Sequence, residues 1–432
     1  MQYEYLHREE TLSRDELTQL QLKRLRQTIR QAKKGIFYWE RLSDIEPEDI
    51  RSIDDIKHLP FTTKEDLRNN YPVGLLTEPV AKMVRLHVSS GTTGTPTAVL
   101  YTKKDLDTWA DLMARCMYMV GIRSWDIFQN LSGYGLFTGG LGIHYGAERL
   151  GCLTIPAGAG NSKRQIKLLK DFRVTAIHII PSYALHLATV FDEMGIDPKS
   201  LYLKTALIGA EPHTEEVRRR IEEIYGVKAY NSYGLSEMNG PGVAFECPEQ
   251  KGMHLWEDAY ILEIVDPNTL EPVEEGQVGE LVLTTLTREG MPLIRYRTKD
   301  LTAIVPGECP CGRVHKRIAR IAGRSDDMII LKGVNIYPMQ VERVLMSMPE
   351  VGQNYLIILE KEGYIDQMRV LVEIKDEYFI EDMRELKKLQ DKIARRLKEE
   401  ILITPKVELV EHKSLPRSQG KAVRVIDKRN EK

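Results

Sequence analysis

The chain has 432 residues, with 61 lysines and arginines against 63 aspartates and glutamates, so its formal net charge is −2. Hydrophobic residues make up 42% and charged residues 29%, which excludes a disordered or fibrous chain. The balanced charge removes the electrostatic case for binding nucleic acid or an anionic membrane. At about 150 residues per domain, the length predicts two or three domains.

The cysteine content and the longest uncharged stretch indicate the cellular compartment. Five cysteines are too few for a disulfide framework, and their odd number fits a reducing compartment. The N-terminal segment lacks the apolar region of a signal peptide. The uncharged run at residues 174–191 is interrupted by histidines, a proline and a serine, which predicts a buried strand and a helix and not a membrane span. We therefore expect a cytoplasmic protein.

The first part of the chain predicts a helix followed by a parallel sheet. Residues 15–33 place leucines and an isoleucine at helical spacing, which is typical of an amphipathic helix. Between residues 85 and 230, short apolar runs such as 175–180 and 205–210 alternate with helical patterns. Strands without polar alternation, each followed by a helix, predict a mainly parallel sheet that is covered on both faces.

The later segments change character twice. Residues 258–305 predict an antiparallel subdomain with strands at 259–266, 279–286 and 301–306. After residues 323–327 the pattern predicts a hairpin at 355–374 with its turn near 361–363, a charged amphipathic helix at 380–401 and a final strand at 407–412.

These elements predict two domains. The larger, residues 1–325, is an α/β N-terminal domain with parallel sheets covered by helices plus an antiparallel β subdomain. The smaller, residues 326–432, is a mobile α+β C-terminal domain within the usual size range.

The densest chemical signal is the segment Ser89–Thr97, which holds six hydroxyls and two glycines and no bulky side chain. Its backbone amides stay accessible, so it can wrap an oligophosphate with amide and hydroxyl donors. It is not a Walker A loop, because no Gly-Lys-Ser/Thr sequence ends it. The alternative is a flexible Ser/Thr/Gly turn without a ligand.

Three further segments each offer one charged residue with a possible role. Glu237 follows a predicted strand, and a single carboxylate near bound phosphates suits Mg²⁺. Asp300 can accept hydrogen bonds from ribose hydroxyls, and Lys421 follows a glycine turn close to the C-terminus. Taken alone, each has an alternative: a surface glutamate, a salt-bridged aspartate or a solvated lysine.

In this order and spacing, the four segments closely resemble the adenylate-forming superfamily of acyl-CoA ligases. The resemblance extends across nearly the whole chain. Within the superfamily the phenylacetate–CoA ligase branch matches best, on residues 133–151, 61–68 and 256–258.

The resemblance implies a two-step reaction. An aryl carboxylic acid and Mg·ATP give acyl-AMP and pyrophosphate, and coenzyme A then gives acyl-CoA and AMP. The expected ligands are thus ATP, Mg²⁺, coenzyme A and a small aryl acid. The resemblance also implies a homodimer.

The resemblance also implies roles for single residues. Those implied to hold the β- and γ-phosphates are Ser90, Gly91, Thr92, Thr93 and Gly94. Those implied to lie along the adenine are Gly209, Ala210, Glu211 and Pro212, and those implied to contact the adenine and the acyl group are Asn231, Ser232, Tyr233 and Gly234. The remaining roles are Mg²⁺ binding for Glu237, ribose binding for Asp300 and Arg324, the interdomain hinge for Asp326 and adenylation for Lys421.

The chain departs from the family pattern in the phosphate loop. Where relatives often carry a lysine before or after the loop proline, this chain has Thr95 and Thr97. The loop therefore holds no cation, and the triphosphate charge is left to Mg²⁺, backbone donors and Lys421.

Aromatic residues interleaved with glycines predict the pocket for the aryl ring. The candidates are Tyr134, Phe137, Gly139, Gly140 and Tyr145. Glycines let a flat ring approach the backbone, and aromatic side chains stack on it. The alternative is a Gly-rich loop with core aromatics. Lys64 is a candidate partner for the substrate carboxylate, or a solvated lysine at a helix start.

Three cysteines and a histidine predict a structural zinc site. Cys309 and Cys311 share a tight Pro/Gly turn, and Cys247 and His254 form a second pair. Zn²⁺ takes four such ligands tetrahedrally, and a complete set leaves no open catalytic position. His315 is a rival fourth ligand, and ordinary reduced thiols are the alternative.

Two rival functions use the same scaffold. One is an adenylation enzyme that acts on another aryl acid or loads a carrier-protein thiol. The other is a non-catalytic nucleotide-binding regulator, which the presence of Glu237, Asp300, Asp326 and Lys421 disfavours.

Overall fold

The structure is a computed structural model that describes residues 3–89, 96–332, 334–362, 365–378, 383–416 and 422–429. The α-helices in these residues are α1 (Arg14–Ala32), α2 (Ile36–Arg41), α3 (Lys64–Asn69), α4 (Lys103–Met119), α5 (Thr138–Leu150), α6 (Ser162–Asp171), α7 (Pro181–Glu193), α8 (Glu215–Tyr225), α9 (Pro338–Met346) and α10 (Met383–Ile401). Short 3-10 helices lie at Arg8–Thr11, Pro47–Asp49, Ile53–His58, Val80–Lys82, Pro198–Ser200, Ser236–Met238 and Asp376–Tyr378.

The strands belong to five sheets. In chain order they are β1 (Met83–Val88), β2 (Ala98–Thr102), β3 (Ile127–Asn130), β4 (Leu153–Ile155), β5 (Ala176–Ile179), β6 (Thr205–Gly209), β7 (Lys228–Leu235), β8 (Gly240–Glu246), β9 (Met253–Leu255), β10 (Tyr260–Val265), β11 (Gly279–Thr285), β12 (Tyr296–Thr302), β13 (Ile304–Val305), β14 (Arg317–Ile318), β15 (Gly323–Arg324), β16 (Ile329–Leu331), β17 (Val334–Ile336), β18 (Val351–Glu362), β19 (Ile365–Ile374), β20 (Lys406–Val410) and β21 (Val425–Asp427).

The N-terminal helices begin at capping signals in the sequence. Ser13 accepts a hydrogen bond from the Glu16 amide, and the Glu16 carboxylate accepts one from the Ser13 amide at 2.8 Å. This reciprocal pair satisfies two amides that a helix start leaves unpaired, so α1 begins there. The helix predicted at 15–33 is confirmed. Thr63 caps α3 in the same way, which places Lys64 on its first turn.

A nine-stranded sheet forms the centre of the N-terminal part, in the order β13-β14-β9-β8-β7-β6-β5-β3-β4. The five strands from β4 to β7 pair in parallel, and β8, β9, β14 and β13 continue the sheet antiparallel. Every residue of β5 is buried, as expected for a strand with both faces covered. The predicted parallel sheet is confirmed.

A four-stranded antiparallel sheet, β10-β11-β12-β15, forms the predicted subdomain. The strand predicted at 301–306 is wrong in its position, because the third strand is β12, and β13 leaves to join the nine-stranded sheet. Hydropathy does not mark β12, since it carries Arg297 and Lys299. Both side chains turn to the buried Glu280 of β11, with Nη2–Oε2 and Nζ–Oε2 distances of 2.7 and 3.6 Å.

The C-terminal part is an α+β unit built on a mixed sheet, β20-β19-β18-β21. The predicted hairpin is confirmed as β18 and β19, and the predicted helix as α10 within the described residues. The strand predicted as final is β20, but it is followed by β21, which pairs in parallel with β18. β21 has only three residues, which are too few to show a strand pattern, so the sequence does not predict it.

The two parts contact each other through α8 and α9. Val217 of α8 and Val344 of α9 belong to one continuous cluster of buried apolar residues. Arg220 of α8 donates a hydrogen bond to the carbonyl of Gly352 at 3.0 Å. The C-terminal part therefore packs directly beside the carboxyl ends of β6 and β7.

Candidate active site

A cavity of about 300 Å³ lies at the carboxyl ends of the parallel strands β6 and β7. This is the edge at which open α/β sheets bind their ligands. Of the residues singled out from the sequence, those that line it are Lys64, Phe137, Ala210, Glu211, Pro212, Asn231, Ser232, Tyr233, Gly234, Glu237, Asp300 and Arg324. Segments that are distant in sequence thus meet in one cavity.

Two glycines beside the cavity let backbone segments come into close contact. Gly209, which is not among the lining residues, pairs with Ser232 across β6 and β7, and a Cβ atom at Gly209 would lie 2.3 Å from the Ser232 carbonyl oxygen. A Cβ atom at Gly234, which lines the cavity, would lie 1.9 Å from the Gly240 carbonyl oxygen. Only glycine fits at these two positions.

Glu237 projects from the short helix Ser236–Met238 and is almost fully buried. Arg288 fixes its backbone, because the guanidinium donates to the Glu237 carbonyl at 2.8 Å and to the Leu100 carbonyl at 3.1 Å. Burial raises the pKa of the neighbouring Tyr296 hydroxyl well above its ordinary value, and the Glu237 charge adds to the shift. Glu237 is therefore a buried carboxylate of the kind that suits Mg²⁺ beside phosphates.

Asp300 and Arg324 form a pair that also lines the cavity. Arg324 Nη1 lies 2.9 Å from one Asp300 oxygen, and the Tyr233 hydroxyl donates to the other at 2.6 Å. Burial raises the pKa of the Asp300 carboxyl, and the Arg324 charge opposes that shift. Arg324 also pairs with Asp326 at 2.9 Å. The predicted ribose ligands and the predicted hinge are thus joined by one guanidinium.

A second cation, Arg320, lines the cavity and was not found from the sequence. It contacts Nε2 of His213 at 2.7 Å, Glu215 at 2.9 Å and Glu246 at 3.4 Å. Burial, with the Arg320 charge second, lowers the pKa of His213 to about 3, so this histidine is neutral and accepts the hydrogen bond at Nε2. Glu246 in turn accepts from the Asn231 amide at 2.8 Å. These contacts fix the guanidinium beside the predicted nucleotide segments, with its charge balanced by Glu215 and Glu246.

The predicted phosphate ligands at 90–94 lie outside the described residues, but both ends of their loop are described. The Ser89 amide donates to the Thr97 carbonyl at 3.0 Å, and the Ser89 hydroxyl accepts from the Thr97 amide at 3.0 Å. The two hydroxyls lie 2.9 Å apart. Thr97 is fully buried. It therefore closes the base of the loop, a role that a lysine cation at this position would not fill.

The predicted aryl pocket is divided by the structure. Phe137 and Lys64 line the cavity, whereas Tyr134, Gly139, Gly140 and Tyr145 are not among its lining residues. The Tyr134 hydroxyl contacts Asn130 at 3.1 Å and His144 at 3.2 Å.

Tyr145 lies beneath Arg85, whose guanidinium carbon is 4.5 Å from the ring centre, and is 39% exposed. Gly140 allows close packing, because a Cβ atom there would lie 2.3 Å from the Gly133 carbonyl oxygen. Gly139 faces open space. The ring contacts of these residues stay a prediction from the sequence.

Lys421 also lies outside the described residues, but its neighbour Ala422 is described. The Ala422 amide donates to a Glu211 carboxylate oxygen at 3.1 Å. The C-terminal part of the chain thus contacts the nucleotide segment of the cavity through a side chain that lines it.

The four predicted metal ligands meet in one buried cluster. The ligand atoms of Cys247, His254, Cys309 and Cys311 all lie within 4.8 Å of one another. Cys311 Sγ is 3.2 Å from His254 Nε2, and Cys247 Sγ is 3.6 Å from Cys309 Sγ. His254 Nδ1 donates to the His315 carbonyl at 2.8 Å. This bond leaves Nε2 directed at the sulfurs, because a hydrogen bond at one ring nitrogen orients the other toward a metal.

His315, the rival ligand, is not in the cluster. Its Nε2 lies 3.6 Å from the Asp258 carboxylate, and its Nδ1 accepts from the Glu257 amide at 3.2 Å. It contributes its carbonyl to His254 instead of its ring. Within the described part of the chain, the structure therefore offers one set of four ligand atoms, three sulfurs and one imidazole nitrogen.

Comparison with protein families now identifies the chain. A family model described as AMP-binding enzyme matches residues 43–286, and one described as AMP-binding enzyme C-terminal domain matches residues 333–429. The first match covers more than half of the chain. The chain belongs to the AMP-binding enzyme family.

One curated relative of this AMP-binding enzyme is similar along nearly its whole length. The phenylacetate-coenzyme A ligase of Thermus thermophilus is 45% identical, over 97% of this chain and 98% of that protein. The similarity therefore extends over nearly the full length of both chains.

Solved structures reveal the domain arrangement that the AMP-binding enzyme adopts. A 2-hydroxyisobutyryl-CoA ligase in the postadenylation state with 2-HIB-AMP has a TM-score of 0.91 at 32% identity, over 97% of this chain and 91% of that chain. In the thioesterification state with 2-HIB-AMP and CoA the TM-score is 0.71 at 32% identity, over 98% and 92% of the two chains. The present domain arrangement is therefore closer to that of the relative in its postadenylation state than to that of the relative in its thioesterification state.

The residues that sequence reasoning missed lie in the cavity beside those it found. They are His213, Leu235, Ser236, Met253, Arg320 and Ile321. A signal existed only for Arg320, which stands four residues before Arg324 in an alternation of arginines and apolar residues. The others have ordinary local sequences. Among the described residues of this AMP-binding enzyme, no helix is both long enough and apolar enough to cross a membrane.

Proposed function

We propose that the chain is an AMP-forming ligase that joins an arylacetic acid to coenzyme A, with phenylacetate as the preferred substrate. The observation that carries the proposal is the 45% identity, over nearly the full length of both chains, to a phenylacetate-coenzyme A ligase. The cavity supports it, because it gathers Glu237, Asp300 and Arg324 at the carboxyl ends of a parallel sheet.

The first step of the proposed reaction forms the adenylate. A carboxylate oxygen of the acid bonds to the α-phosphorus of ATP. The bond between that phosphorus and the oxygen that bridges to the β-phosphorus breaks, and pyrophosphate leaves. Asp300 accepts hydrogen bonds from the ribose hydroxyls, while Arg324 holds the Asp300 carboxylate in place. Lys421 neutralises the negative charge that develops between the acid and the α-phosphate.

Phosphate binding in this proposal falls to several groups. Ser90, Gly91, Thr92, Thr93 and Gly94 supply amide and hydroxyl donors. Glu237 would hold Mg²⁺, which, when bound, neutralises phosphate charge. Arg320 adds a guanidinium to the cavity, where Glu215 and Glu246 hold it in place.

The second step forms the thioester. The thiolate of coenzyme A adds to the acyl carbonyl, and AMP leaves with the carboxylate oxygen through which it was attached. We propose that a pivot of residues 326–432 against residues 1–325, about Asp326, removes Lys421 and admits the thiol. Arg324 supports this position of the hinge, because its contacts to Asp300 and Asp326 join the nucleotide site to the turn.

The aryl ring is proposed to lie against Phe137, with Lys64 near the carboxylate. Phe137 is 55% exposed and lines the same cavity as the nucleotide residues, so an acid held there faces the α-phosphate position. The proposed outer part of this pocket is formed by Tyr134, Gly139, Gly140 and Tyr145. We also propose that the protein forms a homodimer and is cytoplasmic.

The Cys/His cluster is proposed to hold a structural zinc ion. Three sulfurs and one imidazole nitrogen are the donors of a closed tetrahedral zinc site. The His254 contact to the His315 carbonyl supplies the outer partner that such a histidine needs. All four ligands are buried, so the group is structural and takes no part in the reaction.

One assay tests the ligase proposal. Purified protein is given ATP, Mg²⁺ and a panel of phenylacetate, benzoate, 2-hydroxyisobutyrate and acetate, with and without coenzyme A, and pyrophosphate release and thioester are measured. We expect both with phenylacetate and coenzyme A.

Each other outcome selects a rival. Pyrophosphate release with accumulating adenylate and no thioester would indicate a carrier-protein acceptor. ATP binding without any acid-dependent turnover would indicate a regulator, and preference for 2-hydroxyisobutyrate would overturn the arylacetate assignment.

A further inference from the structure

The loop at residues 211–214 contacts the C-terminal part of the chain through two carboxylates. One, Glu211, belongs to the loop, and the other, Glu342, belongs to α9. Each carboxylate accepts a hydrogen bond from a backbone amide on the opposite side of the domain boundary. We call this reciprocal pair the carboxylate clasp.

The Glu211 carboxylate joins the two parts of the chain. One oxygen accepts from the Ser182 amide at 2.6 Å, in the first turn of α7. The other accepts from the Ala422 amide at 3.1 Å. Amides in the first turn of a helix lack intrahelical partners and favour a negative charge, so the first contact fixes the carboxylate. The second contact holds the C-terminal segment to it.

Glu342 makes the reverse connection. One oxygen accepts from the Thr214 amide at 3.1 Å, and the other accepts from the Tyr355 hydroxyl at 3.1 Å. The carboxylate is only 7% exposed. Arg424 lies over the Tyr355 ring, with its guanidinium carbon 4.6 Å from the ring centre. Residues on both sides of the clasp are therefore fixed by further contacts.

The clasp belongs to one domain arrangement. Both of its bonds connect the same four-residue loop to the C-terminal part, so a rotation that displaces that part separates both pairs. The TM-score is 0.91 against a relative in the postadenylation state and 0.71 against the same relative in the thioesterification state. The two bonds are seen here in the first of these arrangements.

We propose that Glu211 is a positioning residue for the adenylation half-reaction. The amide it holds is that of the peptide bond between Lys421 and Ala422, so the contact restrains the chain next to the proposed adenylation lysine. Glu342 supports the same arrangement from the other domain. The inference rests on the proposed function, and gives Glu211 a role beyond lining the adenine.

The test compares both half-reactions in Glu211→Gln. A glutamine retains one acceptor oxygen, but it presents an amide group to the second N–H, so one of the two hydrogen bonds is lost. Single-turnover formation of phenylacetyl-AMP should slow about tenfold or more, because hydrogen bonds to charged groups are the strong ones. Thioester formation from synthetic phenylacetyl-AMP and coenzyme A should be unchanged or faster, and Glu342→Gln should shift the ratio in the same direction.

Glu193→Gln is the matched control. Glu193 pairs with Lys413 across the same boundary at 2.8 Å, but both side chains are about half exposed. Exposed ion pairs contribute little, so this variant should keep the wild-type ratio of half-reactions.

The outcomes separate this inference from the proposed function. Wild-type protein that releases no pyrophosphate with any acid would overturn the function. Active wild-type protein whose Glu211→Gln variant loses both half-reactions equally, or neither, would overturn the positioning role. A melting temperature equal to that of wild type shows that the variant is folded. If Glu211→Gln does not fold, the same comparison of half-reactions in Glu342→Gln tests the positioning role.

Discussion

Two arginines line the cavity at the carboxyl ends of β6 and β7, and each is held by carboxylates. Arg320 contacts Glu215 and Glu246, and Arg324 contacts Asp300 and Asp326. Because each guanidinium is already fixed in the folded chain, less side-chain entropy would be lost when the proposed nucleotide binds.

Lys421 is expected to act in one half-reaction only. Lys421→Ala should reduce the rate of acyl-AMP formation by about 10²-fold or more, as for other groups that stabilise developing charge. Thioester formation from synthetic acyl-AMP should stay near wild type, and rapid-quench assays of each step measure both.

Lys413→Ala is the control for Lys421→Ala, since Lys413 is a half-exposed lysine of the same domain that pairs with Glu193. It should leave both steps unchanged. An equal fall of both half-reactions in Lys421→Ala would mean that this lysine does not act in adenylation alone.

Phe137 is expected to contribute more to acid binding than Tyr145. Phe137→Ala should raise the KM for phenylacetate about fivefold and leave the KM for ATP nearly unchanged, because an aromatic contact contributes about 1 kcal/mol beyond burial. Tyr145→Ala should have a smaller effect, since that ring lies under Arg85. Steady-state kinetics of both variants with phenylacetate and ATP decide, and a larger effect of Tyr145→Ala would move the ring toward α5.

At the scale of elements, the turn between β15 and β16 is the proposed hinge. Asp326→Pro fixes φ near −65°, so it should keep adenylation and block thioester formation in the same half-reaction assays. Asp326→Ala is the matched control: it also removes the ion pair with Arg324 but leaves φ free. If the proline variant carries out both steps as the alanine variant does, the domains do not pivot at this residue.

The Cys/His cluster, the proposed zinc site, lies beside two paired strands near the cavity. Glu246 of β8 pairs with Met253 of β9, which lines the cavity, and these two residues are adjacent in sequence to the cluster residues Cys247 and His254. The purified protein should contain about one zinc per chain by elemental analysis. Cys309→Ser with Cys311→Ser should remove the metal and lower the melting temperature.

Cys152→Ser provides the control for the zinc variants, because this thiol is buried outside the cluster and contacts the Arg123 carbonyl. It should keep the metal. Protein that is metal-free as purified and equally stable with a chelator would leave the four cluster residues as an ordinary buried group.

How much of each element the sequence predicts depends on how local its signal is. The parallel strands and the β18–β19 hairpin have runs of apolar residues, so the sequence predicts them correctly. The β12 strand is misplaced because Arg297 and Lys299 pair with Glu280 inside the fold. His213 and Arg320 escape prediction for a related reason: their contact spans 107 positions and exists only in the folded chain.

At the scale of the whole molecule, the cavity and the C-terminal part form one functional unit. The resemblance places Lys421 and the nucleotide residues in different domains, and the structure brings the segment at Ala422 to Glu211 of the cavity. A chain built this way can present one lysine for the first step and withdraw it for the second. Motion of a whole domain, and not of a single loop, is therefore the central feature of the proposed reaction.

The central claim is that the acid is activated as an acyl-adenylate, and oxygen labelling tests it most directly. Phenylacetate carrying ¹⁸O in both carboxylate oxygens is incubated with the protein, Mg·ATP and coenzyme A, and the products are analysed by mass spectrometry. The proposal predicts one ¹⁸O in AMP, one in phenylacetyl-CoA and none in pyrophosphate, because the oxygen that attacks the α-phosphorus leaves with AMP. Label in inorganic phosphate, or unlabelled AMP beside labelled thioester, would contradict it.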